Sequence, residues 1–264
     1  MSFSQFDSER FETECVAKQL RLGRPVSWRA QTESTNDDAL AAAKAGAPHG
    51  ALFGAEAQTR GRGRRGSEWV SAPGAGLWCS LVLRPELPAE LLPGLALCAG
   101  LAVRAAVAHR VSAAVRVKWP NDVLADGRKV AGILVESQVS GAQVTSVVLG
   151  IGINVTQTSF PGELENVATS LAMLSNLPVD RERLLADVLS HVETELTRLA
   201  RHGLAGLAEA LGPYDALQGR PLRVDALEGV GAGIDADGRL LVRSADGRTT
   251  PVLSGHVELL DQGR

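Results

Sequence analysis

The stretch that decides the fold runs from Val115 to Val155 and reads VRVKWPNDVLADGRKVAGILVESQVSGAQVTSVVLGIGINV. Within it Asp126-Gly127 separates two apolar runs, the pairing that makes a two-residue hairpin turn. Strand-like segments at Val115–Lys118, Lys129–Val139 and Val144–Val155 follow one another with no helical pattern between them, as a parallel crossover would require. The expected class is therefore α+β, a mixed or antiparallel sheet flanked by helices.

Working towards the N-terminus, strands are expected at Ala51–Ala57 and Leu77–Leu83, and a first one at Val26–Arg29 after an amphipathic helix over Ser4–Leu22. Ser34-Thr35-Asn36 offers cap residues to a helix that ends near Gly46, with Asp37 and Asp38 suited to its N-terminal dipole. A long helix is expected over Ala89–Arg110. It contains the most apolar stretch, Leu91–Val103, which is shorter than the roughly 20 residues of a membrane span and reads as buried. Towards the C-terminus, Leu184, Leu185, Val188, Leu189, Val192, Leu196 and Leu199 mark one stripe of a helix from Asp180 to His202. From Gly219 to Leu260 short apolar runs alternate with Asp237-Gly238 and Asp246-Gly247, the pattern of a small β-barrel. The expected division is residues 1–214 and 215–264.

The chain has 264 residues with 27 Lys+Arg against 30 Asp+Glu, a net charge of −3, which does not give the broad positive field of a dedicated nucleic-acid binder. Cys15, Cys79 and Cys98 are odd in number and far apart, so neither a disulfide framework nor a thiolate zinc site is indicated. The five histidines are scattered without ligand spacing. The acidic N-terminus has no apolar core of a signal peptide, and a cytoplasmic protein is expected.

Three segments could carry chemistry. Gly61-Arg62-Gly63-Arg64-Arg65-Gly66, with Gln58 upstream and Trp69 downstream, joins backbone that can approach an anion to forked donors that stay charged. A solvated basic loop or an RNA-binding tract would have the same composition. Lys118-Trp119-Pro120-Asn121-Asp122 and Lys129 hold two of only four lysines against 23 arginines, which suggests a need for compact ammonium groups. A plain turn shaped by Trp119 and Pro120, with a surface Lys118–Asp122 pair and Lys129 following a hairpin, is the simpler account of the same residues. Gly150-Ile-Gly-Ile-Asn154 ends an apolar strand with two glycines and one amide, suited to a ring and its polar edge, or to a bulge and a cap.

Taken in order, STN, AEAQTRGRGRRGSEW, VRVKWPNDVL…RKVAGILVE and LGIGINV resemble the biotin protein ligase family, over about Val26–Leu174, with the C-terminal β-module continuing the resemblance. It implies a class II synthetase-like catalytic domain with an SH3-like C-terminal barrel. The implied reaction has two steps: biotin and Mg-ATP give biotinyl-5′-adenylate and pyrophosphate, and the acyl group passes to one lysine of a biotin carboxyl carrier domain. Biotin and ATP are substrates, Mg²⁺ accompanies the ATP, and no bound prosthetic group or covalent enzyme intermediate is needed. A carboxylate must approach a phosphate, and two such charges about 4 Å apart at an effective dielectric near 20 repel by about 4 kcal/mol. Cations must sit between them.

The resemblance implies roles residue by residue. Ser34, Thr35, Asn36 and Gln58 would hydrogen-bond biotin, with Gly132 lining the slot. Lys129 would hold the biotin carboxylate and then the adenylate. Arg62, Gly63 and Arg64 would close over the substrate, so that Lys129, Arg64 and Arg62 form the catalytic set. Arg64, Arg65, Trp69, Lys118, Asn121 and Asn154 would bind ATP, with Asn154 reading adenine and Asp122 touching the metal. Only 33 residues precede Ser34, fewer than a winged-helix domain needs, so a monofunctional ligase without DNA binding is expected. No membrane association is expected, and the strand edges of such a sheet are compatible with a homodimer. A lipoate ligase or octanoyl transferase on the same fold, and a nucleic-acid regulator built on Arg60–Arg65, are the competing readings.

Overall fold

The computed structural model describes residues 5–84, 87–140, 143–175 and 177–260. Seven strands form one sheet in the order β1-β2-β3-β7-β6-β5-β4, namely β1 Val26–Arg29, β2 Leu52–Ala55, β3 Gly76–Leu83, β4 Val115–Lys118, β5 Asp122–Ala125, β6 Arg128–Ser140 and β7 Gln143–Asn154. Only β1 and β2 run parallel; every other pairing is antiparallel. Asp126 and Gly127 both have positive φ, 46° and 79°, so the expected hairpin turn joins β5 to β6. Strand β5, four residues between two turns, was too short to be expected from its pattern.

Side chains alternate across the long strands, and this alternation separates core from site. On β7, Val147, Leu149, Ile151 and Ile153 enter the main core, as do Leu77, Cys79, Leu81 and Leu83 of β3 and Ala131 and Ile133 of β6. Helices α1 (Ser8–Ala17), α3 (Gly94–Ala108) and α5 (Arg181–Leu211) bring Phe11, Leu101 and Leu189 to that face. The opposite face packs Val82 and Val148 against Ala39 and Ala43 of α2 (Thr35–Lys44), and further along it the strands present Ser80, Gly132, Glu136, Gly150 and Gly152.

Several helix ends differ from expectation for local reasons. Helix α1 begins at Ser8, where the Asp7 carboxylate accepts from the Arg10 amide; Ser4 lies outside the described residues. Pro93 takes the cap position of α3, so Ala89–Leu91 forms a separate 3-10 turn. Helix α5 continues past His202 to Leu211 across a break at Gly203, whose φ is 62°. Gly46 ends α2 as expected: the amides of Gly46 and Ala47 bond back to Ala43 and Ala42, the two closures of a Schellman turn. A short helix α4 (Leu171–Leu174) follows β7.

A second, wholly antiparallel sheet comprises β8 Pro221–Val224, β9 Leu227–Ile234, β10 Leu240–Arg243, β11 Thr249–Val252 and β12 Val257–Leu259, in the order β11-β10-β9-β8-β12. It meets the KWPND turn where Trp119 Nε1 donates to the Gly238 carbonyl at 3.1 Å. Among the described residues no helix is long and apolar enough to cross a membrane.

Candidate active site

A cavity of about 480 Å³ gathers Ser34, Thr35, Asn36, Gln58, Arg62, Gly63, Arg64, Arg65, Trp69, Lys118, Asn121, Asp122, Lys129 and Gly132. A second of about 380 Å³ shares Trp69, Lys118, Asp122 and Lys129 with it and adds Asn154, Phe160, Leu164 and Val167. Four segments that lie far apart in sequence thus line two cavities with shared walls.

One end is a network of neutral hydrogen-bonding groups. Ser34 stands at the N-cap of α2 but makes no side-chain cap bond, which sets aside the plain helix-cap account of STN. Gln58 Oε1 instead accepts from the Thr35 amide at 2.8 Å, and Gln58 Nε2 donates to Ser71 Oγ at 2.7 Å. The Thr35 hydroxyl lies 2.8 Å from Ser80 Oγ, which donates to Asn36 Oδ1. Asn36 sits directly on the strand below: a Cβ on Gly150 would lie 2.2 Å from Asn36 Oδ1, so only glycine admits this packing. Ser71 and Ser80 were not singled out from the sequence. The period of two that places Val82 on this face of β3 also places Ser80 there, and was the available signal.

The floor is an aromatic ring on a glycine shelf. Gly132 and Gly152 lie opposite each other on β6 and β7, and a Cβ on either would stand 2.8 or 2.7 Å from the Trp69 ring. Trp69 meets Trp78 edge-on, with centroids 6.2 Å apart. Its Nε1 is buried with no acceptor among the described residues, a costly state for a donor that a ligand oxygen at the wall would relieve.

The other end is cationic. The KWPND segment is the turn of the β4–β5 hairpin, with Lys118 opposite Asp122; Asn121 fastens it by exchanging bonds of 2.9 Å with Ile133. The simple surface-pair account fails on two points. Asp122 pairs with Lys129 at 2.7 Å, and Lys118 is sufficiently buried that desolvation lowers its pKa below the ordinary 10.5; Asp122 pulls the value up and Lys129 pushes it down. A bulge brings Lys129 here. Val123 pairs with Ala131 but Leu124 with Lys129, so Val130 is the extra residue and re-aims its neighbour. Residues 129 and 132 would otherwise face opposite sides, yet a Cβ on Gly132 would be 3.3 Å from Lys129 Nζ. The ammonium also stands 5.1 Å from the centre of the Trp69 ring.

The arginine segment forms a hairpin-like loop over the opening. Gly63 N bonds Ser67 O at 2.7 Å, Trp69 N bonds Gly61 O, and Arg64–Gly66 forms a 3-10 turn. Arg62 reaches Glu136 and Asp37. Arg64 touches Asn121 Oδ1 at 3.3 Å; burial and then Arg65 lower its pKa, against Asp122. Arg65 pairs at 3.0 Å with Asp225, at the β8–β9 turn. Asn154 is buried, bonded to the Thr169 carbonyl and to Gln157 Nε2. Burial pushes the Cys79 thiol at the cavity wall up to about 12, so it carries no thiolate nucleophile at neutral pH.

Among the described residues no group of three or more metal-ligating side chains occurs. One carboxylate, Asp122, stands among the cations, paired with Lys129.

Comparison with known proteins agrees with this geometry. Residues 28–154 match the model of the biotin/lipoate A/B protein ligase family. The chain is 36% identical over 244 residues to the bifunctional ligase/repressor BirA of Bacillus spizizenii, covering 90% of this chain and 75% of that one. It is 36% identical over 269 residues to the biotin–[acetyl-CoA-carboxylase] ligase of Mycobacterium tuberculosis, covering 95% and 98%. The biotin protein ligase from Aquifex aeolicus in complex with biotin and ATP superposes with a TM-score of 0.79 at 27% identity, over 89% of this chain and 99% of that one. With the long-range identity and the fold in agreement, the chain belongs to the biotin protein ligase family.

Proposed function

We propose that this enzyme activates biotin with ATP as biotinyl-5′-adenylate and transfers the biotinyl group to a lysine of a biotin carboxyl carrier domain. The observation that carries the reading is the polarity of the first cavity, with neutral donors and acceptors at Ser34–Asn36 and Gln58 and cations at Lys118, Lys129 and Arg64. A polar, uncharged ureido head needs the first, and a carboxylate brought against a phosphate needs the second. Lys129 holds the carboxylate, Arg64 and Lys118 take the phosphates, and Asn121 and Asp122 order that end, Asp122 towards the ion that ATP brings. Gly132 and Trp69 wall the slot, Arg62, Gly63 and Arg65 close it, and Asn154 lies in the second cavity where adenine would stack. A magnesium ion would neutralise phosphate charge; the residues named orient the reactants and keep water from the anhydride. Residues 1–214 form the catalytic unit in this reading, and residues 215–264 supply part of its wall.

The reading is tested by biotin-dependent exchange of labelled pyrophosphate into ATP. Exchange with biotin and not with lipoate is expected; exchange with lipoate alone overturns it. A lipoate ligase is the weaker reading because a plain aliphatic acid has no use for four polar groups at the closed end of the slot.

Lys118 adds a pH signature. Burial disfavours its charged form, so its proton leaves at a pH below the ordinary 10.5; the stability penalty of burying that charge is present at neutral pH and is relieved as pH rises through the lowered value. ATP binding follows the opposite course, because deprotonation removes a phosphate contact. The KM for ATP is expected to climb at alkaline pH below 10.5, and Lys118→Arg, which stays charged, to abolish the climb. An unchanged profile in Lys118→Arg would remove Lys118 from the phosphate site.

A further inference from the structure

One carboxylate joins the arginine loop to the neutral end of the cavity. Glu136, four residues beyond Gly132 on β6, accepts a forked pair from Arg62, with Nη1 to Oε1 at 3.1 Å and Nη2 to Oε2 at 2.7 Å. Its Oε2 also accepts Asn36 Nδ2 at 2.8 Å. Asp37, next to Asn36, meets Arg62 Nη2 from the other side at 2.7 Å. The Arg62 guanidinium is thus shared between two carboxylates, whereas Lys129 has Asp122 and Arg64 the neutral Asn121. A cation neutralised in this way has little charge left for a reacting carboxylate or phosphate. Its forked geometry instead suits a strap between the loop and the α2–β6 wall.

Asn36 is oriented by the same contact. Glu136 fixes which end of the amide is nitrogen, and Ser80 donating to Oδ1 fixes the other end, which leaves one N–H and one lone pair uncommitted. We propose that Glu136 is a positioning residue that ties the arginine loop to the head-group end of the cavity through Arg62, and that Arg62 acts as this strap rather than as a charge on the reacting atoms. The assignment to biotin rests on the reading above; the strap itself does not. Binding at Asn36 and closure of the loop then share one joint, so an acid lacking a polar head would leave the joint unsupported.

Two measurements on Glu136→Gln and Arg62→Lys test this. The first needs no activity: trypsin cuts after arginine, and the loop carries Arg60, Arg62, Arg64 and Arg65. Loss of a charge-assisted fork should raise cleavage within Arg60–Arg65 of the ligand-free protein about tenfold in either variant, with the thermal midpoint unchanged, and the double variant should cut no faster than the singles. Cleavage at the wild-type rate, or additive effects, overturns the strap. The second is steady-state exchange: biotin KM is expected to rise about tenfold in each variant with kcat within threefold, and bound adenylate to leave faster. A fall in kcat at unchanged KM overturns the assignment of Arg62. No exchange by the wild-type protein would instead count against the ligase reading, while the trypsin result would still decide the strap.

Discussion

Replacing Lys129 by alanine is expected to lower biotin-dependent pyrophosphate exchange by about 10²- to 10³-fold, the usual loss when one preorganised charge-stabilising donor is removed from an acyl-transfer site. The argument rests on position. The bulge at Val130 turns the ammonium towards Gly132 and Trp69, where it pairs with Asp122. Removing it also leaves Asp122 facing the same space without its nearest cation, so an anion arriving there meets repulsion in place of attraction. The fold should be little affected, because the Lys129–Asp122 pair is partly solvated, with side chains 33% and 20% exposed, and such pairs contribute little. Exchange measured beside a melting curve separates the two effects. A loss below about threefold would show that Lys129 does not hold the carboxylate; partial recovery in Lys129→Arg is expected if charge, rather than shape, is the requirement.

The largest effect on stability is expected far from the cavity floor. Glu56, between the β2 strand and Gln58, is buried and meets Arg181 of α5 at 2.8 and 3.2 Å. It also accepts the Phe6 amide at 2.6 Å and Trp28 Nε1 at 3.2 Å, while Phe6 stacks on Trp28 with centroids 3.7 Å apart. One carboxylate thus pins the N-terminal segment, β1 and the start of α5. Glu56→Ala would take this carboxylate from a buried guanidinium and also leave the Phe6 amide and Trp28 Nε1 without their acceptor, at a cost of about 3–5 kcal/mol, or roughly 10 °C in melting temperature for a chain of this size. Glu56→Leu with Arg181→Met should cost less than the two single changes together, since both members of the buried ion pair are then removed at once. A drop of under about 3 °C in Glu56→Ala would show that the pair is better solvated than its geometry indicates.

The architecture was largely legible because its deciding signals are local. Asp126-Gly127 between two apolar runs marks a tight hairpin turn, and the short apolar runs on either side of it mark the strands. The candidate residues were legible as four segments, and the fold brings them to two cavities with shared walls. What was hidden depends on register or on distance. Lys129 and Gly132 share a face only because of the bulge at Val130, which no residue in that run announces. Glu136 and Ser80 look like ordinary strand polar residues until the sheet face is known. The Arg65–Asp225 and Trp119–Gly238 contacts span 160 and 119 positions, beyond the reach of any local pattern. Pro93 and Gly203 did carry local signals for where α3 begins and where α5 breaks, although hydrophobic spacing alone ran past both.

Strand β12 has a consequence for the chain as it is made. Gly255, His256 and Val257 wall the first cavity, and His256 to Leu259 wall the second, whereas the neutral end begins at Ser34. A ribosome adding about 5–20 residues per second delivers the last wall roughly 10–45 s after the first. Until residues 255–259 are made, the nascent chain lacks the side of both cavities that they supply.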